Sequence, residues 1–191
     1  MNELTRDILA GKFEKTEKSG EIYVPGANVF VGGAFENWVN DDLDGLAVDG
    51  NLVVNEGLDY LLDVALSNGA QKANWYIGIN KSNYTYLATD TAANVSTNAT
   101  EIVGSDVDEI ARPAWTEVGV TSQSINNTAS PAVYTAAGAV TAYGAFLVSA
   151  SAFGNGIASD KLMAAAAFST SRVLGAADVL NVTYTLNIAD A

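Results

Sequence analysis

Toward the end of the chain hydrophobic and polar positions alternate. Val182, Tyr184, Leu186 and Ile188 fall on one face, and Thr183, Thr185 and Asn187 on the other. A period of two predicts a strand over 179–188 with one buried face. Shorter apolar stretches bounded by Gly, Asn, Asp and Pro predict further strands at 22–24 and 29–31, around a Pro25-Gly26 turn, and at 75–79, 84–87, 115–120, 132–135, 140–149 and 162–168. One segment carries the helical period instead. Leu58, Leu61, Leu62, Ala65 and Leu66 recur at i, i+3, i+4, i+7 and i+8, Asn51 or Asn55 can cap, Glu56 and Asp59 suit the first turn, and Asn68-Gly69 ends the helix near residue 68. Residues 88–110 read as a long Thr/Asn/Asp-rich connection, interrupted at 101–103. The expectation is a mainly β protein with one α-helix: a β-sandwich or jelly-roll-like body with an extended N-terminal arm.

The arm, residues 1–24, stands apart in charge. It holds Arg6, Lys12, Lys15 and Lys18 against Glu3, Asp7, Glu14, Glu17 and Glu21, so it is close to neutral while the body, 25–191, is strongly acidic. Leu4, Ile8 and Leu9 can line one helical turn, and Phe13 is the next anchor, which makes these four the candidate partner-binding residues. The arm reads either as a frayed terminus or as a segment that orders on a neighbour; fully extended, ~20 residues reach ~70 Å. The first 20 residues are charged throughout, without the apolar stretch of a signal peptide, and no apolar run approaches the ~18 residues of a membrane span.

Composition narrows the chemistry. The 191 residues include 22 Asp plus Glu, nine Lys plus Arg, no His and no Cys. Cys–His and Ser–His nucleophiles are thereby excluded, with ordinary zinc, copper or haem ligation. A formal net charge of −13 disfavours binding to a nucleic-acid backbone. Only 16% of residues are charged, and the polar share is Asn, Thr, Ser and Gly, which leans toward β architecture and assembly.

Oxygen ligation of a hard cation remains possible. Asn40-x-Asp42-x-Asp44-Gly45 reproduces the first half of a calcium loop, with Leu46 able to offer its carbonyl, while position 12 is Asn51 where a bidentate Glu should stand. Asn40, Asp42 and Asp44 are therefore candidate ligands for weakly bound calcium, and no other cofactor is expected. Asp106, Asp108 and Glu109 sit in the long connection, and Asp160 can join them only through the fold. No Ser-x-x-Lys or Gly-x-Ser-x-Gly motif occurs, and no enzymatic activity is expected. Among the aromatics, Trp75, Tyr76, Trp115, Tyr134, Phe146, Phe168 and Tyr184 are expected in the core, and Trp38, Tyr84, Tyr86, Tyr143 and Phe153 on a contact surface.

Several blocks carry a resemblance. They are Gly-Ala-Phe-Leu-Val-Ser-Ala-Ser-Ala at 144–152, Lys161-Leu162-Met163-Ala164-Ala165-Ala166, Phe168-Ser169-x-Ser171-Arg172, and the run from Asp178 to Leu186. Upstream, Asn55-Glu56-Gly57-Leu58-Asp59-Tyr60-Leu61-Leu62-Asp63, Trp75-Tyr76-Ile77-Gly78-Ile79 and Arg112-Pro113-x-Trp115 fit the same pattern. Together they resemble virion structural proteins of tailed bacteriophages, of the head decoration (cement) type. The resemblance implies a non-enzymatic protein of the outer capsid surface, made in the bacterial host cytoplasm, that staples major capsid subunits. Its implied partners are the major capsid protein and other copies of itself, with a trimer favoured and a dimer possible, and neither nucleic acid nor membrane. The alternative it leaves is a head- or tail-fibre subunit or adhesin that binds a host receptor or glycan through Tyr84, Tyr86 and Trp115, with Asp42 and Asp44 holding calcium.

Overall fold

A computed structural model describes residues 14–15, 22–23 and 29–190. The body is mainly β, as expected, and is built from two antiparallel sheets. β1 (Glu14–Lys15) and β2 (Ile22–Tyr23) form a separate two-stranded pair. The five-stranded sheet is organised around β11 (Val179–Asp190), the segment with the clearest alternation. Along one edge β11 pairs continuously with β3 (Val29–Val39), from Val29↔Asp190 to Val39↔Leu180. Along the other it pairs first with β8 (Ala132–Thr135) and then with β7 (Ser124–Asn126), while β4 (Ala47–Gly50) extends the sheet beyond β3. The four-stranded sheet has the order β5 (Leu52–Val53), β10 (Leu162–Leu174), β9 (Val140–Val148), β6 (Tyr76–Asn80).

The principal core lies between the sheets. Phe35, Leu180, Val182 and Tyr184 of one meet Ile77, Ile79, Leu147 and Ala164 of the other, and Tyr134 closes the gap. Phe35 and Tyr184, cross-strand partners, stack with ring centroids 4.4 Å apart. Tyr134 donates from its hydroxyl to the Ile77 carbonyl at 2.6 Å, so its buried polar tip is satisfied. Burial pushes the Tyr134 phenol well above its ordinary pKa.

Two expectations about helices need correction. The described residues contain a second helix, α2 (Val95–Ala99), inside what reads as an open connection. The expected helix, α1 (Asn55–Leu66), forms, but neither Asn caps it: Val54 is the N-cap residue and Asn55 the first helical one. Its buried face is also rotated from the leucine stripe. Gly57 and Tyr60 are buried, Leu58, Leu61 and Val64 are half-buried, and Leu62 and Leu66 are 59% and 80% exposed. The cause is Gly57. A Cβ there would stand 2.4 Å from the Met163 carbonyl oxygen, so the helix axis approaches β10 through the one residue that a hydrophobic count ignores. Asn68 ends the helix at φ 62°, as its type predicts, and the Ser67 and Gly69 N–H groups both donate to the Asp63 carbonyl.

Residues 84–99 form a covering layer on the four-stranded sheet. Tyr86, Ala92, Val95 and Ala99 pack on Phe146, Val148, Leu162 and Ala165 as a second apolar cluster. The Phe146 ring occupies the space above Gly78, where a Cβ would come within 2.2 Å of it. Neither 84–87 nor 115–120 is a strand: 84–87 lies over the sheet through the Tyr86 side chain, and Trp115 donates its N–H to the Trp75 carbonyl beside β6.

Candidate functional site

The Asn40–Gly45 turn is built for closing the sheet. Asn40 adopts φ 53°, a left-handed conformation that Asn tolerates better than most residues. Its amide Nδ2 donates to Asp178 at 3.0 Å while its Oδ1 accepts from the Val179 N–H at 2.9 Å. The Asn40 oxygen is thus engaged in joining the end of β3 to the start of β11. Asp42 Oδ1 accepts from the Gly45 N–H at 3.1 Å, a side-chain-closed turn. Asp44 lies in the same exposed turn. Among the described residues no group of three or more Asp or Glu is placed to hold a metal ion. The Asn40 amide and the Gly175 N–H stabilise the Asp178 carboxylate and lower its pKa. Leu4, Ile8, Leu9 and Phe13 of the arm lie outside the described residues.

Sequence reading does not find the most concentrated polar feature, a clamp around Arg112. Its guanidinium is buried with the carboxylate of Glu101, their side chains 0% and 1% exposed. Nε donates to Glu101 Oε1 at 2.6 Å and Nη2 to Oε2 at 2.8 Å, a two-bond fork. The remaining donors reach the Ala150 and Gly154 carbonyls and the Ser96 hydroxyl, which itself donates to Glu101. The Gly154 N–H completes the carboxylate's partners at 2.8 Å. The guanidinium also stands 5.4 Å from the centre of the Phe146 ring. Four stretches of chain (α2, 101–112, 150–154 and β9) therefore meet on one ion pair. The signal available in sequence was slight: one Arg in a chain with nine basic residues, next to Pro113.

The other carboxylates are dispersed into local roles. Asp106 takes Lys81 Nζ at 2.6 Å and the Val103 N–H at 3.0 Å. Burial acts to raise its pKa, but the Lys81 bond and the Val103 amide outweigh that and hold it below the usual value. Such a group contributes stability above the unfolded-state pKa, about 3.9, and loses it as pH falls through the lower folded value. Asp106→Asn should therefore destabilise at pH 6, by no more than about 1 kcal/mol for a partly exposed pair, with the difference shrinking at a pH below the unfolded-state value. Urea unfolding at the two pH values checks this. Glu109 accepts from the Thr135 N–H, and Asp160 from the Ile157 N–H.

The aromatics depart from expectation. Tyr86 is buried, 8% exposed, donating to Asn80 Oδ1 at 2.6 Å, and burial pushes its phenol well above the ordinary pKa. Trp38, Tyr84, Tyr143 and Phe153 are all half-buried rather than exposed. Trp115 is buried as expected, with its indole N–H on the Tyr184 carbonyl.

Two surface regions remain as interaction candidates. The outer face of the five-stranded sheet presents Phe30, Trp38, Val48 and Val133 among Thr and Asn residues of β7, β8 and β11. Phe30, Val48 and Val133 are 60%, 56% and 39% exposed, and Glu36 is the one charged residue at the outward register positions. The second region is an apolar groove of about 310 Å³ at one end of the sandwich, between α1 and the ends of β7 and β11. Trp75 and Trp115 form its floor, and a more polar cavity with Lys72, Asn74 and Glu117 continues it. In comparison with known proteins, no family model matches the chain and no curated protein matches it in sequence.

Proposed function

We propose that this chain is a decoration protein of a tailed-phage capsid, binding the outer capsid surface through its β body and tying neighbouring major capsid subunits together. The observation that supports this reading best is the outer face of the five-stranded sheet. In a chain of net charge −13, a broad face with a single carboxylate and three exposed apolar residues suits burial against another protein. The surrounding acidic surface repels packaged DNA and attracts basic patches on a shell. Spread over several subunit joints, individually weak contacts add through effective concentration. The resemblance of the 144–152, 161–172 and 178–186 blocks to virion proteins points the same way.

The fibre or adhesin reading has less behind it, because Tyr86 and Trp115, two of its three aromatics, are turned into the cores. Co-sedimentation with emptied, expanded phage heads separates the two. The intact protein should pellet with heads, and Val48→Glu combined with Val133→Glu should abolish pelleting while leaving the thermal transition in place. Failure of the parent protein to bind, with retention on host cells or glycan, would overturn the capsid reading. Loss of binding on removal of residues 1–24, with the double variant unaffected, would move the contact from the sheet to the arm.

A further inference from the structure

The groove beside α1 and the polar cavity that continues it make one amphipathic cleft. The apolar half, about 310 Å³, is walled by Leu61 and Val64 of α1, Ile125 of β7 and Ile188 of β11. Leu147 and Met163, both buried in the principal core, line it from below, while Ala65 at its rim is exposed and Ile188 is 40% exposed. The groove therefore runs from solvent into the packed interior. The polar half, about 260 Å³, shares Gln71, Trp75, Trp115 and Ile125 with it, so the two spaces are continuous. An apolar cavity that converges on a few polar groups is the usual form of a small-molecule site.

Tyr60 joins the two halves. Its ring meets Trp75 edge-on with centroids 5.4 Å apart, and its hydroxyl accepts the Lys72 N–H at 2.7 Å. The polar half holds donors in excess. Lys81, Arg112 and Lys161 face carboxylates and Arg172 holds Asn37, which leaves Lys72 as the one cation among the described residues with no acceptor for its side chain. Trp115 gives its indole N–H to the Tyr184 carbonyl, whereas that of Trp75 has no acceptor among the described residues. Glu117 is the one carboxylate in this lining, and it is exposed where Lys72 is half-buried, so water and salt screen it more. Glu56, Asp59 and Asp63 of α1 line a separate cavity, shared with Lys161.

We propose that this cleft binds a medium-chain alkyl carboxylate, with the chain laid along Leu61, Val64 and Ile188 over the two tryptophans and the carboxylate at Lys72. At roughly 30 Å³ per carbon, the volume share of a water molecule, the apolar half takes about ten carbons. The net charge of −13 opposes any anion at long range, so burial of methylenes supplies the affinity and Lys72 selects the head group. Leu186 and Ile188 point to the opposite side of β11 from Thr185 and Asn187, so the cleft is separate from the sheet face assigned to the capsid, and the site stands independently of that reading.

The emission of Trp75 and Trp115 reads binding in the full-length chain. Octanoate, nonanoate and decanoate should each bind saturably, roughly fourfold more tightly per added methylene. Decanoate should bind about threefold more tightly than decanol, and Lys72→Met should erase that preference while leaving decanol affinity within about twofold of the parent. Ala65→Phe, which fills the groove from an exposed position, should weaken both ligands about tenfold while the thermal transition stays in place. Trp38→Phe should keep the emission change, because Trp38 lies on the outer sheet face. An affinity independent of chain length, or a signal lost in Trp38→Phe, would overturn the proposal. So would a decanoate preference that survives Lys72→Met, or tighter binding of decyltrimethylammonium than of decanoate.

Discussion

Arg112→Met is expected to cost about 3–5 kcal/mol of stability, the range for breaking a buried ion pair by removing one partner. The loss comes from what is left behind more than from the attraction removed. Glu101 would stay in the interior with a negative charge whose remaining donors are the Ser96 hydroxyl and the Gly154 N–H. The Ala150 and Gly154 carbonyls would lose their guanidinium donors as well. For a chain of this size the melting temperature should fall by roughly 10 °C. Converting Glu101 to Gln in the same protein should restore more than half of the loss, because the uncompensated charge disappears. Denaturant melts of the parent, both single variants and the double variant check the cycle. A loss under about 1 kcal/mol in Arg112→Met would mean that Glu101 reaches water at little cost.

Phe146→Ala is expected to be of similar size, about 3–5 kcal/mol, from lost burial plus the cavity left in the second cluster. The site has little freedom to collapse. Phe146 is 0% exposed, its ring fills the space over Gly78, and the immobile guanidinium of Arg112 lies against it. The effect should be regional before it is global. Amide exchange should accelerate across 84–99, the layer resting on this ring, while β3 and β11, which rest on the other core, keep their protection until global unfolding. Uniform acceleration through both sheets would show that the two clusters unfold as one unit.

The fold was legible where one face of a segment alone decides its structure. Alternation across Val182, Tyr184, Leu186 and Ile188 placed β11, and the Asn68-Gly69 stop placed the end of α1. Legibility failed where a neighbour sets the geometry. Gly57 rotates α1 by allowing close approach to Met163, and no count of apolar residues registers a missing side chain. The strand-like composition of 115–120 reflects Trp115 packing beneath Tyr184, with its backbone capping β6. The helix within 88–110 forms because Val95 and Ala99 find Phe146, some 50 residues away in sequence. The candidate sites divide in the same way. Asn40 and Asp42 are a recognisable turn, but the partners of Asn40, Asp178 and Val179, lie at the far end of the chain, so a motif with ligand spacing serves as a sheet closure. Glu101 and Arg112 carried no shared motif, and only burial made them a pair.

The pairing of β3 with β11 also sets a timetable for synthesis. β3 is among the first described segments to leave the ribosome, and β4 follows at once, yet its partner along the other edge, β11, follows about 140 residues later. At 5–20 residues per second the wait is roughly 10–30 s. Through that interval β3 presents an open edge and the Phe35 face without its cover, and β7 and β8 have no strand to join. The nascent chain therefore carries an unpaired β3 edge until β11 emerges, and a net charge of −13 helps to keep unfinished copies apart.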